Sequence, residues 1–165
     1  MNHARPMKQR QAHERRRGMA TVEFALVAPM FVTITLGTIE FGNAFQRTNV
    51  LASTLREGGR LASMEYKDVL LEGQTANEKV VLDVRNLMTA NGLPGDEAVI
   101  EITHAEGPQE GTTFILSDKS NSLKCFRISV SLDYADVSIF PTGFLQGKVL
   151  DESIVMRKGK SVLAE

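Results

Sequence analysis

Arg15-Arg-Arg-Gly18-Met19-Ala-Thr-Val-Glu23-Phe24-Ala-Leu-Val-Ala-Pro29 is the stretch that decides how this chain is organised: three arginines, a glycine, then an apolar run with one carboxylate inside it. Working back, Arg5, Lys8 and Arg10 join Arg15, Arg16 and Arg17 in residues 1–18 against Glu14 alone, a strong local excess of cations in a chain whose total charge is −1. Working forward, Phe24 to Ile39 is uncharged for sixteen residues. At roughly 1.5 Å per residue that is about 24 Å of helix, a little short of a hydrocarbon core of about 30 Å. Taking in Met19 to Val22 gives twenty-one residues with Glu23 as their only charge, long enough for one crossing with Glu23 near an interface. Cations ahead of an apolar helix set its direction, so Arg15, Arg16 and Arg17 are expected to hold residues 1–18 in the cytoplasm and to leave the chain beyond about Glu40 exported.

Two simpler explanations fit less well. A cleavable secretory signal ends in small residues, whereas this core runs into Gly37-Thr-Ile-Glu40-Phe-Gly42, where Ile39 and Glu40 make a poor cleavage site. The buried helix of a soluble protein would leave the basic cluster unexplained. With one crossing, about a hundred residues remain for a single small domain.

Beyond the span the helical period continues. Phe41, Ala44, Phe45, Thr48, Leu51, Ala52, Leu55 and Ala62 recur at helical spacings, while Asn43, Gln46, Arg47, Asn49, Ser53, Arg56, Glu57 and Arg60 fill the other face. One helix is therefore expected from Met19 to about Ser63, with Pro29, Gly37, Gly42 and Gly58-Gly59 as the places where it should bend, loosen or break. Thr75-Ala-Asn-Glu78 has the form of a capping box that opens a second helix. Its stripe is Val80, Val81, Val84, Leu87 and Met88, and Gly92 with Pro94 ends it.

The period then changes to two. Ala98, Ile100 and Ile102 alternate with Val99, Glu101 and Thr103; Phe126, Ile128, Val130 and Leu132 alternate with Arg127, Ser129, Ser131 and Asp133. Lys148 to Arg157 is a third strand, with Leu150, Ile154 and Met156 toward the core, and Thr113 to Leu116 is a candidate short piece. The predicted class is α+β: a long N-terminal helix, membrane-spanning in its first half and amphipathic in its second, then a second helix packed on an antiparallel sheet of three or four strands. The predicted organisation is a basic cytoplasmic leader over 1–18, the transmembrane and amphipathic helix over 19–64, and an exported α+β domain over 65–165.

Catalytic, cofactor and metal sites find no pattern. His104 is the only histidine after the leader, expected to be solvated at a strand end, and no cluster of cysteines and histidines has ligand spacing. Cys125 is the only cysteine, which rules out an intrachain disulfide and reads as a strand residue. The basic leader lies before a span, so anionic lipid and topology explain it better than nucleic acid. Glu23 is the residue that needs an account, because a carboxylate inside an apolar helix is expensive in a bilayer. Cutting between Gly18 and Met19 would free an α-amino cation one helical turn from Glu23, available to a neighbouring chain; alternatively Glu23 snorkels to the headgroups beside an arginine of its own leader.

The run Arg15 to Pro29, followed by Gly37-Thr-Ile-Glu40-Phe-Gly42, resembles the N-terminal signature of the TadE-like family, minor pseudopilins of tight-adherence, type IV pilus-like systems. Ala52-Ser-Thr-Leu-Arg56-Glu-Gly-Gly-Arg60-Leu-Ala62 resembles the end of the family's long helix, and Ile154-Val-Met156-Arg157 its closing strand. The resemblance implies a non-enzymatic subunit of pilus assembly, processed by a prepilin peptidase between Gly18 and Met19, with Glu23 in the acidic fifth position of the mature chain. It further implies other pilins or pseudopilins and the Tad secretion machinery as partners, the inner membrane as location and a role in adhesion or secretion. No cofactor follows from it. The competing expectation is an uncleaved signal-anchored protein whose periplasmic domain binds a ligand or partner. Gly58-Gly59 stands where the family often carries alanines, and Lys158-Gly159 where an acidic residue is common.

Overall fold

A computed structural model describes residues 7–64, 70–138 and 145–159, with side chains from Met19 onward. The side chains of Arg15, Arg16 and Arg17 and the surroundings of Gly18 lie outside the described residues. The chain divides into two compact units, Met1–Ile39 and Glu40–Glu165.

The first unit is the earlier part of helix α1 (Met7–Ala62), which begins within the basic leader. From Phe24 to Ile39 it carries no charged side chain on any side, as in a segment meant for a non-aqueous surrounding. Pro29 lies inside the helix, where it supplies no backbone donor. Three hydroxyls nearby turn inward: Thr33 Oγ1 donates to the Pro29 carbonyl at 2.9 Å, Thr35 Oγ1 to Phe31 at 2.8 Å and Thr38 Oγ1 to Ile34 at 2.8 Å. Hydroxyls satisfied on their own helix carry little desolvation cost in lipid.

The second unit holds the rest of α1, then α2 (Ala76–Ala90), β1 (Val99–His104), β2 (Cys125–Asp133), α3 (Tyr134–Val137) and β3 (Val149–Arg157). The strands form an antiparallel sheet in the order β1-β2-β3, with Ile102 opposite Ile128 and Ile128 opposite Ile154. The period-two reading of β2 holds: Phe126, Ile128, Val130 and Leu132 are fully buried, while Arg127, Ser129 and Ser131 lie on the open face. Leu51 and Leu55 of α1, with Val80, Val84 and Met88 of α2, complete the core with Phe114. The α+β class and the three-stranded sheet match expectation.

The capping box is present in both halves: Glu78 N–H donates to Thr75 Oγ1 at 3.2 Å and Thr75 N–H donates to Glu78 Oε2 at 2.9 Å. Gly92 takes φ +75° just past Asn91, a conformation that costs glycine nothing.

Three local expectations are corrected. Gly58-Gly59 does not break α1, which runs through to Ala62. A Cβ on Gly58 would lie 2.6 Å from Val84 Cγ2, and one on Gly59 3.0 Å from Met156 Cγ; this glycine pair lets α2 and β3 approach the helix. His104 is only 6 % exposed rather than solvated, its ring 4.7 Å from that of Phe114. Thr113 to Leu116 forms no strand. It makes one isolated bridge, Thr113 to Thr103, while Asn77 holds it by donating to the Phe114 carbonyl at 2.7 Å and accepting from Leu116 N–H at 2.9 Å.

Candidate assembly site

The N-terminal side chains expected to matter stand on the outside of a helix. Met19 is exposed, Glu23 is exposed one turn on, and Phe24, Leu26, Met30, Phe31, Val32 and Ile34 follow, all more than half accessible. The most apolar eighteen-residue window of the described part of α1 has mean hydropathy 1.8, and none of it is buried. Such a surface is stable only against lipid or another apolar helix, since apolar area left in water costs about 25 cal/mol per Å². Length and composition thus permit one membrane crossing, with Glu23 as an outward-facing carboxylate at its start. The structure brings Met19 and Glu23 onto neighbouring turns of one helix.

Sequence reasoning missed Glu40. It ends the uncharged run, where spacing gives no direction to its side chain, and it is 3 % exposed. The Tyr134 hydroxyl donates to the Glu40 main-chain carbonyl at 3.1 Å, and three residues on Asn43 Nδ2 donates to the Val137 carbonyl at 3.4 Å. Among the described residues Glu40 Oε2 has no hydrogen-bond partner. The available signal was the aromatic side chain of Tyr134 at the end of β2, which nothing in a period-two pattern directs onto α1.

Farther along, Arg47 Nη1 donates to the Gly92 carbonyl at 2.8 Å, just beyond the C-terminal end of α2, where a cation is favoured. Asn91 Nδ2 donates to Thr54 Oγ1 at 3.3 Å. These contacts tie the second half of α1 to α2.

Over the open face of the sheet lies a shallow concavity lined by Glu101, Thr103, Arg127, Ser129, Asp151 and Ser153. No group of three or more potential metal ligands occurs among the described residues. Cys125 is a free, half-buried thiol; its hydrogen bond to the Glu106 carboxylate, with desolvation and the Glu106 charge, raises its pKa, which disfavours the reactive thiolate.

Comparison with curated proteins and with solved structures gives no match. A model of the TadE-like protein family matches residues 18–60, a segment that starts at the leader glycine and takes in the apolar run, Glu23, Glu40 and the glycine pair. Over residues 18–60 the chain is similar to the TadE-like family, which its leader and span also resemble.

Proposed function

We propose that this chain is a minor pilin-like or pseudopilin-like structural subunit for biogenesis of a Tad-type pilus, anchored in the inner membrane by the apolar part of α1 with its C-terminal domain exported. A TadE-like segment on an exposed apolar helix supports a Tad pilus-associated membrane protein. The finer reading adds maturation by a prepilin peptidase between Gly18 and Met19. The new amine of one subunit then faces Glu23 of another, and this pairing sets the stagger between helices. Arg15, Arg16 and Arg17 fix the orientation before cleavage. The domain serves assembly rather than catalysis, its partners being other pilins or pseudopilins and the Tad secretion machinery.

The observation that carries this reading is the placement of Glu23 on the outside of the apolar helix, five residues after the glycine where the family match begins. N-terminal sequencing of protein recovered from the assembled fraction of its host tests it directly. Met19 as first residue is expected; an intact Met1 there would favour the uncleaved, signal-anchored alternative. Glu23→Ala is expected to leave membrane insertion intact and to abolish or strongly reduce recovery of the chain with its partners, whereas the alternative predicts no change in either.

A further inference from the structure

The two edges of the sheet are finished differently. Along β1 the loop that follows returns to cover the edge: His104 N–H donates to the Thr112 carbonyl at 2.8 Å, Gly111 N–H to the His104 carbonyl at 3.0 Å and Phe114 N–H to the Ile102 carbonyl at 2.9 Å. β3 has no such cover among the described residues. Its register with β2 is unbroken over nine residues, Val149 to Arg157, and the strand contains no proline. The bonds at its two ends show which way its backbone points. Tyr134 N–H donates to the Lys148 carbonyl at 2.9 Å and Lys158 N–H to the Lys124 carbonyl at 3.0 Å, so the even-numbered residues face β2. By alternation the N–H and C=O groups of Val149, Asp151, Ser153, Val155 and Arg157 point away from it. Gly159, next in that series, agrees: its N–H goes to the Ser63 carbonyl, just past α1, at 3.3 Å. Among the described residues none of the other five finds a backbone partner on that side. An unpaired edge of this length is a template for another strand.

We infer that β3 pairs with β3 of a second copy of this chain, antiparallel about a two-fold axis at Ile154, so that two three-stranded sheets join into one. The charges of the strand choose this occupant. A two-fold contact sets residue i against j and j against i, so a strand pairs with itself only where its charges are self-complementary. Asp151 and Arg157 stand three residues to either side of Ile154, and both are exposed on the open face of the sheet. With the axis at Ile154 each lies opposite the other's copy, at both ends of the contact. Neither has an ion-pair partner among the described residues. Arg157 Nε donates to the Leu123 carbonyl at 2.7 Å, which leaves the terminal nitrogens for a carboxylate. Other registers lose this match. An axis at Asp151 or Glu152 sets a carboxylate against its own copy, and like charges directly opposite are destabilising. An axis at Ser153 puts Asp151 against Val155 and Arg157 against Val149, leaving both charges unpaired. On the other face Ile154 meets its own copy and half-buried Glu152 lies opposite Met156 without gaining a charge partner, so the open-face pairs fix the register. The whole contact lies within the second unit and does not depend on how α1 is anchored.

Disulfide trapping in the full-length chain reads both the pairing and its register, with Cys125→Ser removing the one native thiol. Single cysteines replace Ser153, Ile154 or Val155, and Leu71→Cys, in the exposed loop before α2, controls for chance collision in detergent micelles. At the axis Ile154 and its copy form a non-hydrogen-bonded pair, with Cα atoms about 4.5 Å apart, inside disulfide range; Ser153 and Val155 are only diagonal to their own copies. Oxidation is expected to give covalent homodimer chiefly from Ile154→Cys. Asp151 is exposed, so Asp151→Arg disturbs the contact rather than the fold. Placing like charges opposite each other at both ends, it is expected to lower the trapped dimer by about tenfold, and the further exchange Arg157→Asp to restore it. Strongest trapping from Ser153→Cys or Val155→Cys overturns the register. Trapping no greater than that of Leu71→Cys at all three positions, or a dimer indifferent to Asp151→Arg, overturns the self-pairing. A mixed disulfide with a different protein in host membranes, in place of the homodimer, overturns the second copy as occupant and gives the edge to that protein.

Discussion

Helix α1 carries two kinds of surface. From Phe24 to Ile39 it is uncharged all round and its most apolar window is unburied; from Glu40 it is amphipathic, with Leu51, Leu55 and Ala62 fully buried in a domain core. The same residue types do different work in the two stretches. Glycine shows this most clearly: a Cβ on Gly37 or Gly42 would meet nothing within 4 Å, whereas on Gly58 or Gly59 it would strike α2 or β3. In the first stretch no described residue packs on the helix, and under the proposed anchoring its partner is lipid, a solvent that accepts any apolar shape. In the second it is a packed interior that accepts few.

The largest expected contrast comes from the same truncation in both stretches of the molecule. Phe126→Ala removes a fully buried ring that packs 5.3 Å from that of Phe114 and is expected to destabilise the second unit by about 3–5 kcal/mol. Phe31→Ala is expected to leave unfolding of that unit unchanged, read by thermal denaturation of the full chain in detergent micelles. Equal losses for the two substitutions would break the comparison.

Adding a single methyl gives a smaller and sharper test. Gly58→Ala forces Val84 Cγ2 aside from 2.6 Å and is expected to cost about 1–3 kcal/mol. Gly42→Ala has open space and is expected to stabilise by up to about 1 kcal/mol through helix propensity. Combining Gly58→Ala with Val84→Ala restores room for the methyl, so the pair is expected to be non-additive.

Smaller again is the start of α2. Thr75→Ala removes the acceptor for Glu78 N–H and is expected to cost about 1 kcal/mol. The hydrogen bond from the Thr75 backbone N–H, and then the Thr75 side chain, lower the Glu78 pKa. A carboxylate whose folded pKa is depressed stabilises above its unfolded pKa, and that contribution disappears as pH falls through the folded value. A deficit of Glu78→Gln relative to the parent chain is therefore expected at neutral pH and should vanish in acid, seen in denaturant midpoints measured across the range.

The comparison also shows what a sequence can reveal. α2 was legible because its signals are local: a box over Thr75 to Glu78, a stripe at helical spacing, and Gly92 with Pro94 after it. The strand faces were legible because the sheet buries one side and leaves the other open, so Phe126 to Leu132 writes its orientation in alternation. Gly58-Gly59 and His104 are misread, and the burial of Glu40 is missed, for a shared reason. A glycine in a helix signals either looseness or close approach, and only the element that arrives decides; here it is Val84 and Met156. His104 is buried against the Phe114 ring, its backbone paired with Gly111 and Thr112, all brought in by a loop. Glu40 is buried, and its main-chain carbonyl accepts from the hydroxyl of Tyr134, ninety-four residues later in the chain. Period-based reading registers which faces are apolar, but not which distant residue closes over a polar one.

The smallest expected effect is chemical, and it tests which side of the bilayer the second stretch occupies. Cys125 lies directly opposite Arg157 in the β2–β3 register, with the Glu106 carboxylate hydrogen-bonded to its thiol. Glu106 raises the thiol pKa chiefly through that hydrogen bond, and the Arg157 charge lowers it. Since the thiolate is the form that reacts, Glu106→Gln is expected to speed alkylation at fixed, mildly alkaline pH, and Arg157→Gln to slow it. With one cysteine in the chain, the same reaction reports topology. An impermeant maleimide given to cells with a permeable outer membrane and an intact inner one should label Cys125, faster in Glu106→Gln. Labelling that needs the inner membrane broken would place the sheet in the cytoplasm. The contrast between the stretches of α1 would then remain a fact of packing while the proposed direction of the anchor failed.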